Sequence, residues 1–294
     1  MLFRSWLNSV QYPRQLVDVN GDGLLDVLGF AANGVTISLE RSTSLMPYGA
    51  LVGLNSGTQT LGLNYNSIVG WSGYSAQSQQ NQTLFPKVNF IAPYYVAAKV
   101  TLNSDSQNDQ VENKFSYGGL RFELGSGRGF LGFEWMESQM TGSDGVSMPA
   151  LRTTYSQQWP CLGMAVQSQV KLPSGGLREQ SDSIIRVRTP ANATAQTCGT
   201  AALNGQITIP YLADSTTRQW EMTSTAQQGV GLPRKRTLTT MDGYGNATQV
   251  QEQTLNADGT ASGYSRTTTN TYDSNAERAR QGRLIRSTVT HVKP

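Results

Sequence analysis

Asp18, Asn20, Asp22 and Asp26 stand at positions 1, 3, 5 and 9 of the stretch DVNGDGLLD, with Leu24 placed to offer its backbone carbonyl and Gly21 and Gly23 supplying sharp bends. Hard oxygen ligands gathered on a tight turn suit Ca²⁺. An EF-hand would add a bidentate Glu at position 12, but Gly29 occupies that place, and the flanks Leu16-Val17 and Val27-Leu28 are strand-like. The expected site is therefore a Ca²⁺ loop between two strands.

A second stretch, YGGLRFELGSGRGFLGFEW from Tyr117 to Trp135, raises the question of a phosphate loop, because Gly125, Gly127 and Gly129 would let backbone N–H groups approach an anion. A phosphate cradle must open a helix, whose N-terminus supplies the positive end. Here Leu120, Phe122 and Leu124 alternate with polar residues before the glycines, and Leu131, Phe133 and Trp135 alternate after them. That is strand periodicity on both sides, so the glycines are expected to turn a structural hairpin that Phe130, Phe133 and Trp135 pack into place.

Other chemistry finds little support. His291 is the only histidine, which leaves Ser-His-Asp and Cys-His pairs without a base in the interior of the sequence. Glu123, Glu134 and Glu137 could serve as paired carboxylates, yet Glu123 and Glu134 fall on the polar side of alternating strands, where solvated or Arg-paired carboxylates are expected. No catalytic residue is assigned, and the chain is expected not to be an enzyme. Cys161 and Cys198 are expected to be two isolated buried thiols, a disulfide being the lesser alternative. The glycosylation triplets at Asn81, Asn192 and Asn246 are read as without meaning.

The elements that must position these residues follow from composition. Charged residues make up 15% of the 294 residues, well under the usual ~25%, while Thr, Ser, Gln, Asn and Gly abound, which is the profile of an all-β chain with many turns. A net charge of +3 is too mild to argue for nucleic acid, and the run Arg234-Lys235-Arg236 is read as a solvated loop. No apolar run approaches the ~20 residues of a membrane span, and the N-terminus lacks the ~7–15-residue apolar stretch of a signal peptide.

Along the chain, 12–40 holds the acidic loop, 41–103 is rich in Gly, Asn, Ser and Gln with scattered aromatics, and 91–100 ends in a strand. Residues 104–113 are expected to form a polar turn, and the GSDG at 142–145 another. From 152 a unit of two strands around a tight turn recurs at 152–170, 237–255 and 269–289; such units bury by stacking what one alone cannot. The segment 178–214 lacks the repeat pattern and is expected to be looped, as is the gap between Tyr272 and Gly282.

The loop DxNxDGxxD resembles that of FG-GAP/VCBS blades of β-propellers. DGYGN at 242–246 and Tyr272-Asp273 with Gly282-Arg283-Leu284 resemble RHS/YD repeats, and 117–163 is similar to the midsection of SpvB and toxin-complex B-component (TcdB-type insecticidal toxin) proteins. The resemblance implies a propeller end at 1–42, a midsection at 43–150 and the start of an RHS β-spiral shell at 151–294. It implies a secreted or surface-associated virulence factor that encloses and delivers a C-terminal effector, with the rest of the propeller and shell, and a channel-forming toxin component, as partners. Two alternatives stand beside it: a Ca²⁺-dependent surface adhesin or glycan-binding module using the aromatics of 71–95, and a truncated frame without independent activity.

Overall fold

The computed structural model describes residues 14–17, 26–31, 34–38, 51–56, 59–76, 85–90, 92–104, 109–190, 192–200, 203–224, 227–273 and 282–294. They are all-β, with no α-helix among them. β1 (Arg14–Val17), β2 (Asp26–Ala31) and β3 (Gly34–Ser38) form an antiparallel three-stranded sheet in sequence order. The pair Val17↔Asp26 closes a hairpin around the acidic loop. Asp18, Asn20, Asp22 and Leu24 themselves lie outside the described residues.

The next strands are β4 (Gly53–Asn55), β5 (Gln59–Ser67), β6 (Tyr74–Ser75), β7 (Lys87–Asn89), β8 (Tyr95–Ser104) and β9 (Asp109–Gly118). Then come β10 (Arg121–Glu123), β11 (Gly129–Gly132), β12 (Trp135–Thr141), β13 (Ala150–Tyr155), β14 (Ala165–Lys171) and β15 (Leu177–Thr189). The last are β16 (Asn192–Thr197), β17 (Ile209–Ser224), β18 (Gln227–Gly231), β19 (Arg234–Met241), β20 (Ala247–Leu255), β21 (Ala261–Tyr272) and β22 (Leu284–Val292). One long sheet runs β22-β21-β20-β19-β17-β15-β14-β13-β12-β9-β8-β5-β4, so neighbours in space are near neighbours in sequence. β7, β10 and β11 form a separate small sheet.

Four hairpins of the long sheet share one turn. At 142–146, 172–176, 242–246 and 256–260 the first N–H donates to the carbonyl of the fifth residue, at 2.7–3.0 Å, and the fourth N–H donates back to the first carbonyl. The fourth residue is always a glycine with positive φ: Gly145, Gly175, Gly245 and Gly259. This is a three-residue hairpin loop, in which only glycine takes the left-handed position without strain. An aspartate pre-organises three of the four, Asp144, Asp242 and Asp258 accepting from the N–H groups of Val146, Tyr244 and Thr260, each at 2.9 Å.

The two faces of the sheet are unlike. Through the registers Ser116↔Glu137↔Arg152↔Gln169↔Gln180↔Arg218, one face carries charges and amides. The other carries Leu61↔Leu102↔Val111 and Phe115↔Ser138↔Leu151↔Val170, with Met136 and Met140 between. Leu102, Met136, Met140 and Leu151 of that apolar face are exposed.

Two clusters of buried hydrophobic residues form the core among the described residues. Ile68, Val96, Tyr117 and Leu120 form one, covered by Trp71, Tyr74, Phe115 and Phe133; Cys161, Ile185, Val187 and Leu203 form the other. Trp71 and Tyr74, candidates for stacking a sugar, are thus packing residues at the end of the sheet. From Gln228 to Lys293 no described residue is buried, so this end of the sheet is a single layer.

Several expectations are corrected. Cys161 and Cys198 are joined in a disulfide, not isolated thiols. Two cysteines 37 residues apart give no sign of proximity in a sequence; β15 and β16 bring them together beside Ile185. The segment 178–214 is mostly strand, because in the first half of β15 both faces are polar and leave no alternation to read. The run 234–236 opens β19 instead of a loop, and the polar residues 109–113 belong to β9.

Candidate functional site: the bent hairpin and the polar face

The stretch 117–135 is a hairpin bent in the middle. Its outer part is the β9–β12 pair, ending at Gly118↔Trp135; its inner part is β10–β11, which leaves the long sheet and pairs with β7. Gly119 (φ 63°) and Gly132 (φ 81°) make the bend. Gly125 and Gly127, also at positive φ, turn the tip, and Gly129 begins β11. The bend places Trp135 flat over Gly118, where a Cβ would lie 2.2 Å from the indole nitrogen, while the Arg152 guanidinium stacks on the ring at 3.8 Å. Gln157 ties both bends, its amide donating to the carbonyls of Gly119 at 2.7 Å and Gly132 at 2.6 Å.

Bending turns the polar side of β10 inward, so that Glu123 is buried along with Leu131 of β11. Phe122, Phe130, Phe90 and Tyr94 form an aromatic group, with Phe90–Phe130 centroids 4.8 Å apart and Phe122–Phe130 5.2 Å apart, and Phe130 and Tyr94 remain exposed. Phe133 packs inward on Tyr117 at 4.9 Å. The carboxylates are buried, Glu123 at 6% and Glu134 at 5% exposure; of the two outcomes expected, solvated or Arg-paired, Glu123 takes the second. Glu123 meets Arg128 at 3.0 Å, and Arg128 also donates to Asn204 at 3.0 Å and lies over Trp159 at 5.2 Å. That clamp joins the hairpin tip to the loops stapled by the disulfide. Asn204 and Trp159 carried no signal in the sequence, since 76 residues separate Arg128 from Asn204.

On the polar face the side chains bond one another across strands. Lys99 meets Glu112 at 2.7 Å, Lys171 meets Glu137 at 3.1 Å, and Arg236 grips Asp214 with two bonds at 3.0 and 2.6 Å. Asp182 accepts from Gln167 at 2.8 Å, from Gln180 and from Arg218. Glu137 is thus held between Lys171 and Arg152, and His291 lies exposed on β22. Tyr74 and Tyr117 sit in the first core cluster, and burial pushes both hydroxyls up from their ordinary range.

Two carboxyls of the lattice are held below their ordinary range. For Glu112 the main cause is the hydrogen bond from Lys99. For Asp182 burial acts upward, but the bonds from Gln167, Arg218 and Gln180 outweigh it. A folded-state pKa below the unfolded one gives stability that is present above the unfolded value and is lost as pH falls through the folded value. Thermal melts should therefore stay flat down to about pH 4 and fall below it. Lys99→Met should bring the Glu112 carboxyl, followed by NMR, back up toward ~4.3; an unchanged titration would show that Lys99 does not hold it.

No family model matches the chain, and no curated protein matches it. Among solved structures it is similar to one described as the crystal structure of TcdB2-TccC3 without its hypervariable C-terminal region, with a TM-score of 0.64 at 10% identity. The match covers 95% of this chain and 17% of that one. At that identity the likeness is one of fold, and the fold of this chain is all-β and toxin-complex-like.

Proposed function

We propose that this chain is a non-enzymatic wall segment of a larger toxin-complex-like assembly, made of a propeller end, a midsection and the first strands of an RHS-type β-shell that encloses and delivers an effector. The observation that carries this reading is a long, locally connected sheet with one polar and one apolar face and no second layer over its last strands. Such a sheet needs another body to cover it. The partners are then the remaining shell and propeller and a channel-forming component, and the setting is secreted or cell-surface. In this reading the bent hairpin bridges propeller and shell, and its exposed Phe130, with Tyr94 packed beside it, faces the neighbouring body.

In this reading Ca²⁺ locks the loop of Asp18, Asn20, Asp22, Leu24 and Asp26. The strands that close it, paired at Val17↔Asp26, fit a short loop of oxygen donors. The metal's contribution would be structural, holding the turn of the first hairpin.

Two measurements test the proposal. Mild peroxide should oxidise Met136 and Met140 of the isolated chain nearly as fast as free methionine, read by mass spectrometry; strong protection in a monomer would mean that the chain covers its own apolar face and would overturn the wall reading. Calorimetry should register Ca²⁺ uptake that Asp18→Ala with Asp22→Ala abolishes. No heat, together with an unchanged melting temperature in that variant, would remove the metal from the proposal and leave the wall reading standing.

A further inference from the structure

The last strands of the sheet gather basic side chains that the sequence scatters over 60 positions. On one face, Lys235 of β19 pairs in register with Thr254, and Glu252 of β20 is followed across by Arg266 of β21 and His291 of β22. With Lys293 they line a groove of about 430 Å³, in which three cationic side chains, histidine aside, face one carboxylate; Arg234, at its rim, turns away to donate to the Ala257 carbonyl at 3.0 and 2.6 Å. Glu252 is spread between Lys235 at 3.7 Å and Arg266 at 3.6 Å, and the two cations keep 69% and 53% of their side-chain surface exposed. Tyr264 lies in the same groove, 52% exposed.

We infer that this groove binds an acidic saccharide, one whose sulfate or carboxylate groups sit on Lys235, Arg266 and Lys293 while a sugar ring rests on Tyr264. The excess of positive charge calls for an anion, and an open groove on a sheet favours a polymer with several charges over a single small ion. A single-stranded nucleic acid would meet the cations as well, but its bases need a succession of aromatic rings, and among the described lining residues only the Tyr264 phenol and the smaller His291 imidazole supply any. The apolar C–H face of a sugar ring needs only one. The inference is tested apart from the wall reading, because the isolated chain exposes this face of β19–β22 whether or not another body covers it in an assembly.

Titration of the whole chain at about 50 mM salt should show saturable binding of a heparin-derived hexasaccharide and far weaker binding of its desulfated counterpart, with affinity falling as salt rises. Lys235→Gln with Arg266→Gln should weaken binding by about tenfold. Tyr264→Ala should weaken it several-fold without changing the salt slope. Glu252→Gln should tighten it, a gain that misfolding cannot mimic. Equal or tighter binding of a charge-matched oligothymidylate would overturn the saccharide assignment. Unchanged affinity in both the double variant and Glu252→Gln would overturn the site.

Discussion

A Gly118→Ala chain is expected to lose about 2–4 kcal/mol of stability, read as a fall in the urea midpoint. The new methyl group would lie 2.2–2.6 Å from three atoms of the Trp135 indole, so the ring must leave its place. Leaving it also breaks the stack with Arg152 and disturbs the bend that follows at Gly119, whose own Cβ position is occupied by Glu134. Gly125→Ala is the contrast: its φ is 74° but nothing lies within 4 Å, so only the left-handed strain of about 1–2 kcal/mol applies. Trp135→Leu should cost stability alone yet cost less on the Gly118→Ala background, because the clash is then relieved. Strict additivity of the two changes would sink the contact as the cause.

The second large effect is expected at the disulfide. Cys161→Ala with Cys198→Ala should lower stability by about 3–4 kcal/mol, the loop-entropy value for a closure of 37 residues. The loss should reach beyond the second core cluster. Gly199 donates to the Trp159 carbonyl at 2.7 Å, and Arg128 rests on Trp159 and bonds Asn204, so the two stapled loops together hold the hairpin tip. Amide exchange over 124–130 should quicken in the double variant. A destabilised chain whose tip exchanges as slowly as before would show that Arg128 is held without the staple.

What the sequence revealed, and what it hid, follows from where each signal is stored. The all-β class follows from composition, and the turn at 242–246 from DGYGN; the equivalent turns LPSGG and NADGT hold glycine at the same position but lack that repeat signature. The stretch 117–135 read as one straight hairpin because the alternation continues through Gly119 and Gly132. Its bend depends on φ, which glycine permits without announcing, and with the bend the polar side turned inward and buried Glu123 and Glu134. Long-range features are beyond reach: the cysteine pair, the Arg128 clamp, and a basic groove drawn from four strands. Arg234-Lys235-Arg236 looked like one cluster, but β19 splits it, with Arg236 on Asp214 and Lys235 on the opposite face.

The order of strands in the long sheet has one more consequence. Because each strand after β12 docks mainly on one that precedes it closely in the chain, through turns that set their own geometry, most pairings close short loops. Low contact order of this kind favours rapid, stepwise formation. Such a sheet can lengthen strand by strand as the polypeptide leaves the ribosome, each new hairpin finding its template already formed.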